Sequence, residues 1–487
     1  MILQAKILLI ISAFLPLINF LINNFAKKLP KTLASLFDKA FPALFLAILI
    51  GIINKGENVT SVNLFAFNNF FSFSFILTKN IFLSLALLGV MWLILSFYFK
   101  RLFGLLEDGE ILENYNFLLI IFSNLIFLII SKTLFTAIIF FILFLLINYY
   151  FLVIFFRNDK NATRLSLFFS GFSIFLLILA IILSWKIGLN FDFAAFPNLI
   201  NQQFSGHLLI AFLFYFSAFL LWFLLPIYLF FFRKINFSVH LSFIFIFVIG
   251  ALPNLILFCQ ILAKTLYFEN LQLAFSLMGI NFVNLFILVF LTIFAFALAF
   301  AKNLENIFFY LLLQRILFAF FALIFFSAFV PDRIYLPLTT ISLEVTLSFL
   351  VISNLSNYLI KIKKDKLIAL FYSLPINALL LLVVFLSISG FCPSLGMIEK
   401  FYLLKFSIIN SSYLALLNVA INSFFVIIFS IKFLLPLFLK NNEKISESQI
   451  ELAKDFDFDS DFMFGSLILA AFLLLGFLFF PWLINIF

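Results

Sequence analysis

Apolar runs of about twenty residues follow one another along the whole chain, each closed by a short polar break. As helices, runs of that length cross the roughly 30 Å of hydrocarbon in a bilayer. They begin near residues 2, 40, 81, 115, 133, 165, 207, 239, 281, 306, 334, 376, 414 and 464. The pattern predicts an all-α polytopic membrane protein with about fourteen transmembrane helices. The fourth and fifth runs are separated by little more than Ser131 and Lys132, and the eleventh holds several polar residues. The first run extends from Ile7 to Ile22 and no small-residue cleavage site follows it, so it reads as a retained span rather than a signal peptide.

Composition agrees with the pattern: 66% of the 487 residues are hydrophobic and 10% are charged, against about 25% charged in soluble domains. No soluble domain is expected. The 83 Phe accompany many Ile, Asn and Lys, as an A/T-rich coding bias would produce, and carry no functional weight.

Charge sets the orientation, because cytoplasmic loops collect Lys and Arg. The loops after odd-numbered spans hold 19 of the 30 basic residues, among them Lys27, Lys28, Lys100, Arg157, Arg233, Lys363 and Lys440; the other loops hold seven. Both termini are therefore expected outside, in the periplasm if the membrane is a bacterial inner membrane. The net charge of +9 is a topology signal. It points to a lipid bilayer and not to nucleic acid.

Most other features are bland. Cys259 and Cys392 lie far apart in apolar segments and suggest neither a disulfide framework nor a metal site. His207 and His240 stand where spans begin and read as interfacial. The hydrophilic stretch Lys440 to Phe462 reads as a solvated connector, and the short patterns at Asn58 and Asn161 match a glycosylation site no better than chance would. No phosphate loop, dinucleotide fingerprint or nucleophile elbow is present.

The chemistry must then lie in the charges inside apolar spans: Arg315, Glu344, Glu399, Lys400, Lys405 and Lys432. Each costs roughly 2.5 to 3.5 kcal/mol at the bilayer centre unless it has a partner or a polar cavity. Lys405 and Lys432 stand near span ends and read as snorkelling. Lys400 follows "SGFCPSLG", where Gly390, Pro393 and Gly396 would break a helix at mid-membrane depth. Broken helices with charge beside the break mark ion paths in transporters. Glu399 and Lys400 point about 100° apart and neither has an opposite charge three or four positions away, so partners must come from another helix. Glu344 is the nearest candidate by sequence, and a buried Lys with a movable carboxylate partner has the ingredients of a proton relay.

The stretch "LSISGFCPSLGMIEKFYLLK", Leu386 to Lys405, resembles the pattern LSLAGIPPTAGFIGKFYLF of the antiporter-like membrane subunits of respiratory complex I, closest to the bacterial subunit N. Gly390, Pro393, Gly396, Lys400, Phe401 and Tyr402 match. The following "LLNVAINSFFVIIFSIKFLLPLF" is similar to the family's next helix, with Asn418 and Ile421 matching; the family's Arg falls at Ile428, and Lys432 stands four residues later. The resemblance is specific between about Leu379 and Phe438 and loose elsewhere.

The resemblance implies three leading helices over 1–110, a first antiporter-like repeat over 111–263, a second, inverted one over 264–439, and a connector with a last helix over 440–487. It implies a proton-translocating NADH-quinone oxidoreductase subunit that holds no cofactor itself, the quinone and NADH being used by the assembled complex, with other complex I membrane subunits as partners. Lys400 would be the central relay, Glu399 or Glu344 its partners, and Lys432 would stand at an exit or at the interface with a neighbouring subunit. The family's first-repeat acid falls near Ile142 or Leu143 and its two Lys near Leu221 and Ala251, none of them ionisable. Pro226 anchors that reading and would mark a second helix break. Three other readings stand beside it: a subunit of a multisubunit cation/proton antiporter, a structural filler of the membrane arm, and a lipid or polysaccharide flippase, against which the nearly charge-free spans 1 to 8 argue.

Overall fold

The computed structural model describes residues 2–25, 31–54, 60–66, 72–77, 79–102, 108–155, 160–186, 205–233, scattered positions from 243 to 256, 280–301, 303–329, 335–362, 374–391, 393–438 and 460–486. Asn58, His240, Cys259, Cys392, the stretch 440–459 and most of the basic loop residues lie outside the described residues, as do the side chains of Asn161 and His207.

The described residues form fourteen helices: α1 (Ile2–Phe25), α2 (Lys31–Asn54), α3 (Lys79–Leu102), α4 (Asp108–Ile130), α5 (Leu134–Phe155), α6 (Lys160–Lys186), α7 (Ser205–Arg233), α8 (Ile280–Phe300), α9 (Leu304–Phe329), α10 (Tyr335–Ile362), α11 (Pro375–Ser389), α12 (Leu395–Ile409), α13 (Tyr413–Phe438) and α14 (Ser460–Ile486). Helices dominate because a chain in lipid must satisfy every backbone N–H and C=O within itself. The predicted twelfth span is two helices, α11 and α12, and the predicted eighth is described only at single positions such as Phe247 and Ala251. The chain is an all-helical polytopic membrane protein.

One element departs from the all-α expectation. Strands β1 (Thr60–Ala66) and β2 (Ser72–Leu77) pair antiparallel between α2 and α3. The hairpin is tied to the end of α4, where Lys132 N–H donates to Ser74 carbonyl oxygen at 2.9 Å and Phe75 bridges Ser131. The short polar break between α4 and α5 thus has a structural use: it offers backbone groups to a strand edge.

Two compact units divide the chain, one holding α1 to α7 and the other α8 to α14. In the first, α1 packs on α2 and α4, α4 on α5, and α6 on α7. Its buried polar groups among the described residues are uncharged, such as Ser12, Asn19, Ser123 and Ser173. Pro226 does not break α7, which runs through it without interruption. A proline inside a helix removes one backbone donor, and a buried setting leaves neighbours to satisfy the freed carbonyl.

In the second unit α10 lies at the centre, against α9, α11, α12 and α14. Residues 336–355 of α10 are all buried inside the protein, whereas much of α13 faces outward. A wholly protein-enclosed helix tolerates polarity, and α10 is rich in it. Thr339, Thr340, Ser342, Thr346 and Ser348 each return a hydroxyl hydrogen bond of 2.6–2.9 Å to a carbonyl three or four residues earlier. That local satisfaction lets them sit in an apolar interior. Outward faces are apolar instead, with Phe424, Ile431 and Leu435 of α13 and Phe296 and Phe300 of α8 all exposed.

Candidate functional site

The break between α11 and α12 organises the site. Helix α11 ends in paired capping bonds: Phe391 N–H donates to Leu386 carbonyl oxygen at 2.9 Å, and Gly390 N–H to Ser387 carbonyl oxygen at 3.0 Å. Gly390 adopts φ 84°, the left-handed conformation that this cap requires and glycine adopts without strain. Pro393 lies in the connection, and Ser394 caps α12 by accepting from Met397 N–H at 3.2 Å. The break therefore places the negative end of one helix beside the positive end of another inside the protein.

Each end meets a charge of the matching sign. Lys400 Nζ donates to Ile388 carbonyl oxygen at 2.7 Å, a carbonyl at the end of α11, and to Ser423 Oγ of α13 at 2.9 Å. At the N-terminus of α12, Gly396 N–H donates to Ser387 Oγ at 3.3 Å, and Ser387 Oγ donates to Glu344 Oε1 at 2.6 Å. One serine thus links a helix N-terminus to a carboxylate of α10.

Both glycines of the motif also leave room for close neighbours. A Cβ on Gly390 would stand 2.6 Å from Lys400 Cδ, so the lysine stem lies against that backbone. A Cβ on Gly396 would stand 2.0 Å from Ser387 carbonyl oxygen and 2.8 Å from Glu344 Oε1.

Arg315 of α9 completes the group. Its Nη2 pairs with Glu344 Oε2 and lies 3.5 Å from Glu399 Oε2. Arg315, Glu344, Glu399 and Lys400 are at most 4% exposed, so none of them snorkels to an interface. Two cations and two anions make the cluster neutral, as burial demands. The ring of Phe318, one turn along α9, faces both cations, 5.1 Å from Arg315 Cζ and 5.5 Å from Lys400 Nζ. Beside Arg315, Gln314 donates to Asn422, and ten residues along α10 from Glu344 Asn354 donates to Asn377 at 3.0 Å, all four side chains buried.

The structure brings Glu344, Glu399 and Lys400 into one cluster but does not pair Lys400 with either acid. Among the described residues no carboxylate oxygen comes within 4.0 Å of Lys400 Nζ. The expected pairing of Glu344 with Lys400 is replaced by Glu344 with Arg315, because the lysine reaches the helix end instead. Arg315 is the residue whose role sequence reasoning missed. Its charge in an apolar span was visible, but only packing shows which acids it meets.

Lys432 stands apart. It lies nine residues beyond Ser423, about 13 Å along α13 at 1.5 Å per residue, where its Nζ donates to Ala299 carbonyl oxygen at the end of α8 and lies 5.2 Å from the Phe300 ring centre. That is a helix-end cap. In the first unit, the positions expected to carry family charges are apolar: Ala251 is buried and Leu143 is 42% exposed.

The fold resembles those of chains in an Mrp complex and in respiratory complex I. A chain of the Mrp complex from Dietzia sp. superposes with a TM-score of 0.72 at 12% identity, covering 98% of this chain and 96% of that one. A chain of respiratory complex I from Thermus thermophilus superposes with a TM-score of 0.69 at 14% identity, covering 95% and 98%. No family model and no curated protein sequence matches this chain.

Proposed function

We propose that this chain is an antiporter-like membrane subunit of a proton-translocating NADH-quinone oxidoreductase, nearest to subunit N, and that protons cross it by way of Lys400. The observation that carries the reading is the neutral cluster of Arg315, Glu344, Glu399 and Lys400, buried where α11 and α12 interrupt a span. A group that gains and loses protons in the membrane interior needs a polar pocket, counter-charges and a nearby acceptor chain. The helix ends supply polar groups, and Arg315, Glu344 and Glu399 supply the charges around Lys400. The motif from Leu386 to Lys405 and the likeness to a chain of complex I support this choice of complex.

On this reading the chain carries no redox cofactor. Partner membrane subunits and a hydrophilic arm use NADH and quinone, and this subunit works in a bacterial inner membrane with both termini in the periplasm. Each charge moved against 100 mV costs about 2.3 kcal/mol, which the redox reaction in partner subunits would supply.

A second reading, a subunit of an Mrp-type cation/proton antiporter, is favoured by the slightly higher TM-score of 0.72 and the 98% coverage. Isolation of the complex from native membranes through a tag on this chain separates the two. Co-purifying NADH-quinone reductase activity with flavin and iron–sulfur absorbance supports the first. A redox-silent complex that exchanges Na⁺ for H⁺ in vesicles supports the second.

A further inference from the structure

The two carboxylates of the cluster are held very differently. Glu344 pairs with Arg315 through Oε2, accepts from Ser387 Oγ at 2.6 Å through Oε1, and has the backbone of Gly396 pressed against that oxygen. Glu399 has one contact, 3.5 Å from Arg315 Nη2, and neither of its oxygens accepts a hydrogen bond, although the residue is fully buried. A buried carboxylate without a hydrogen-bonding partner is costly as it stands. Turning toward Lys400 would break that single 3.5 Å ion pair and no hydrogen bond.

We propose that Glu399 is the carboxylate that exchanges protons with Lys400, and that Arg315 and Glu344 are a fixed pair that positions it. The inference rests on the proton-conducting reading of the site and assigns the roles within it. In the exchange, Glu399 turns from Arg315 toward the neighbouring lysine. A proton passes from the Lys400 ammonium to a Glu399 oxygen, leaving a neutral amine and a carboxylic acid. The pair sums to zero before and after, and Arg315 with Glu344 also sums to zero, so no step leaves a net buried charge. Arg315 marks one end of the swing and Lys400 the other.

The surroundings of Glu399 contain no competing group among the described residues. Of the elements against α12, α9 contributes Arg315, with Tyr310 and Glu305 five and ten residues before it; α10 contributes Glu344, with Tyr335, Tyr358 and Lys361 nine or more residues away; α11 has no titratable side chain. On α13, Lys432 caps α8 and Tyr413 is exposed; the acid of α14, Asp461, stands in its first turn.

Dicyclohexylcarbodiimide tests the assignment on the unsubstituted complex in native membranes. This apolar reagent adds to a carboxylic acid, the acid proton passing to a carbodiimide nitrogen, and leaves an acylurea that peptide mass spectrometry locates. The expected adduct is on Glu399, with Glu344 unmodified. An adduct on Glu344, or on neither, overturns the proposal. In variants, Glu399→Gln should lower proton transport per assembled complex at least tenfold, with accumulation measured alongside because the cluster is left with one excess positive charge, as in Glu344→Gln. Glu344→Gln should lower the amount of chain in the membrane, and Arg315→Gln on top of it should restore accumulation by restoring neutrality. Normal transport by Glu399→Gln beside loss of transport in Lys400→Ala refutes this inference alone; normal transport by Lys400→Ala refutes the reading beneath it.

Discussion

Replacing Gly396 with alanine probes the helix break directly, because the new methyl meets backbone rather than a flexible side chain. Its nearest neighbour, Ser387 carbonyl oxygen, would be 2.0 Å away, about 1.4 Å short of the 3.4 Å at which ordinary contact begins. The first turn of α12 must then move off the end of α11. That motion lengthens the bond from Gly396 N–H to Ser387 Oγ, 3.3 Å as it stands, and displaces Ser387 from Glu344. Overpacking costs about 1 to 3 kcal/mol, and a hydrogen bond to a charged group about 1.5 to 3 kcal/mol. Alanine returns up to about 1 kcal/mol of helix propensity, leaving a net loss of about 2 to 5 kcal/mol. Gly51 of α2 and Gly171 of α6 are the internal controls, since a Cβ at either meets nothing within 4 Å. Thermal unfolding of the detergent-solubilised complex should place Gly396→Ala clearly below the unsubstituted chain, with Gly51→Ala and Gly171→Ala level with it or above. A Gly396→Ala protein that melts with its controls and transports normally would refute the claim that the close approach holds the site together.

Two further substitutions separate the roles around the cluster. Gln314→Leu leaves Asn422 buried without the donor it now has, so stability should fall by about 1 to 3 kcal/mol; Gln314→Leu with Asn422→Leu should recover part of that loss in the same unfolding assay. Lys432→Ala removes a cap on α8 and touches nothing in the cluster, so proton transport in vesicles should stay within about twofold while stability drops by roughly 1 kcal/mol. A tenfold loss of transport in Lys432→Ala would return that residue to the ion path.

Much of the fold was legible because the hydrophobic runs are as long as a membrane is thick, and the break at Gly390, Pro393 and Gly396 was legible because those residues punctuate helices for local reasons. Lys400, Glu399 and Glu344 stood out by the cost of burying charge. What sequence could not supply was the meeting of side chains across helices. Arg315 and Glu344 lie 29 positions apart on different helices, and no helical periodicity links them. Lys400 was expected to seek a carboxylate, but the cap of α11 leaves the Ile388 carbonyl to be satisfied, and the lysine is within reach of it. Pro226 misled because α7 runs through it, as membrane helices can when neighbouring groups take up the freed carbonyl. The hairpin left a trace in the alternating "TSVNLFA" and "SFSFIL", outweighed by the apolar runs on either side.

On the proposed mechanism, protons cross the membrane by way of Lys400. Proton uptake into inverted membrane vesicles, driven by the complex's own reaction and compared between the unsubstituted chain and Lys400→Ala after assembly is verified, tests it most directly. Uptake should fall at least tenfold in the variant. Uptake equal to that of the unsubstituted chain would contradict it and leave the charged cluster a structural filler.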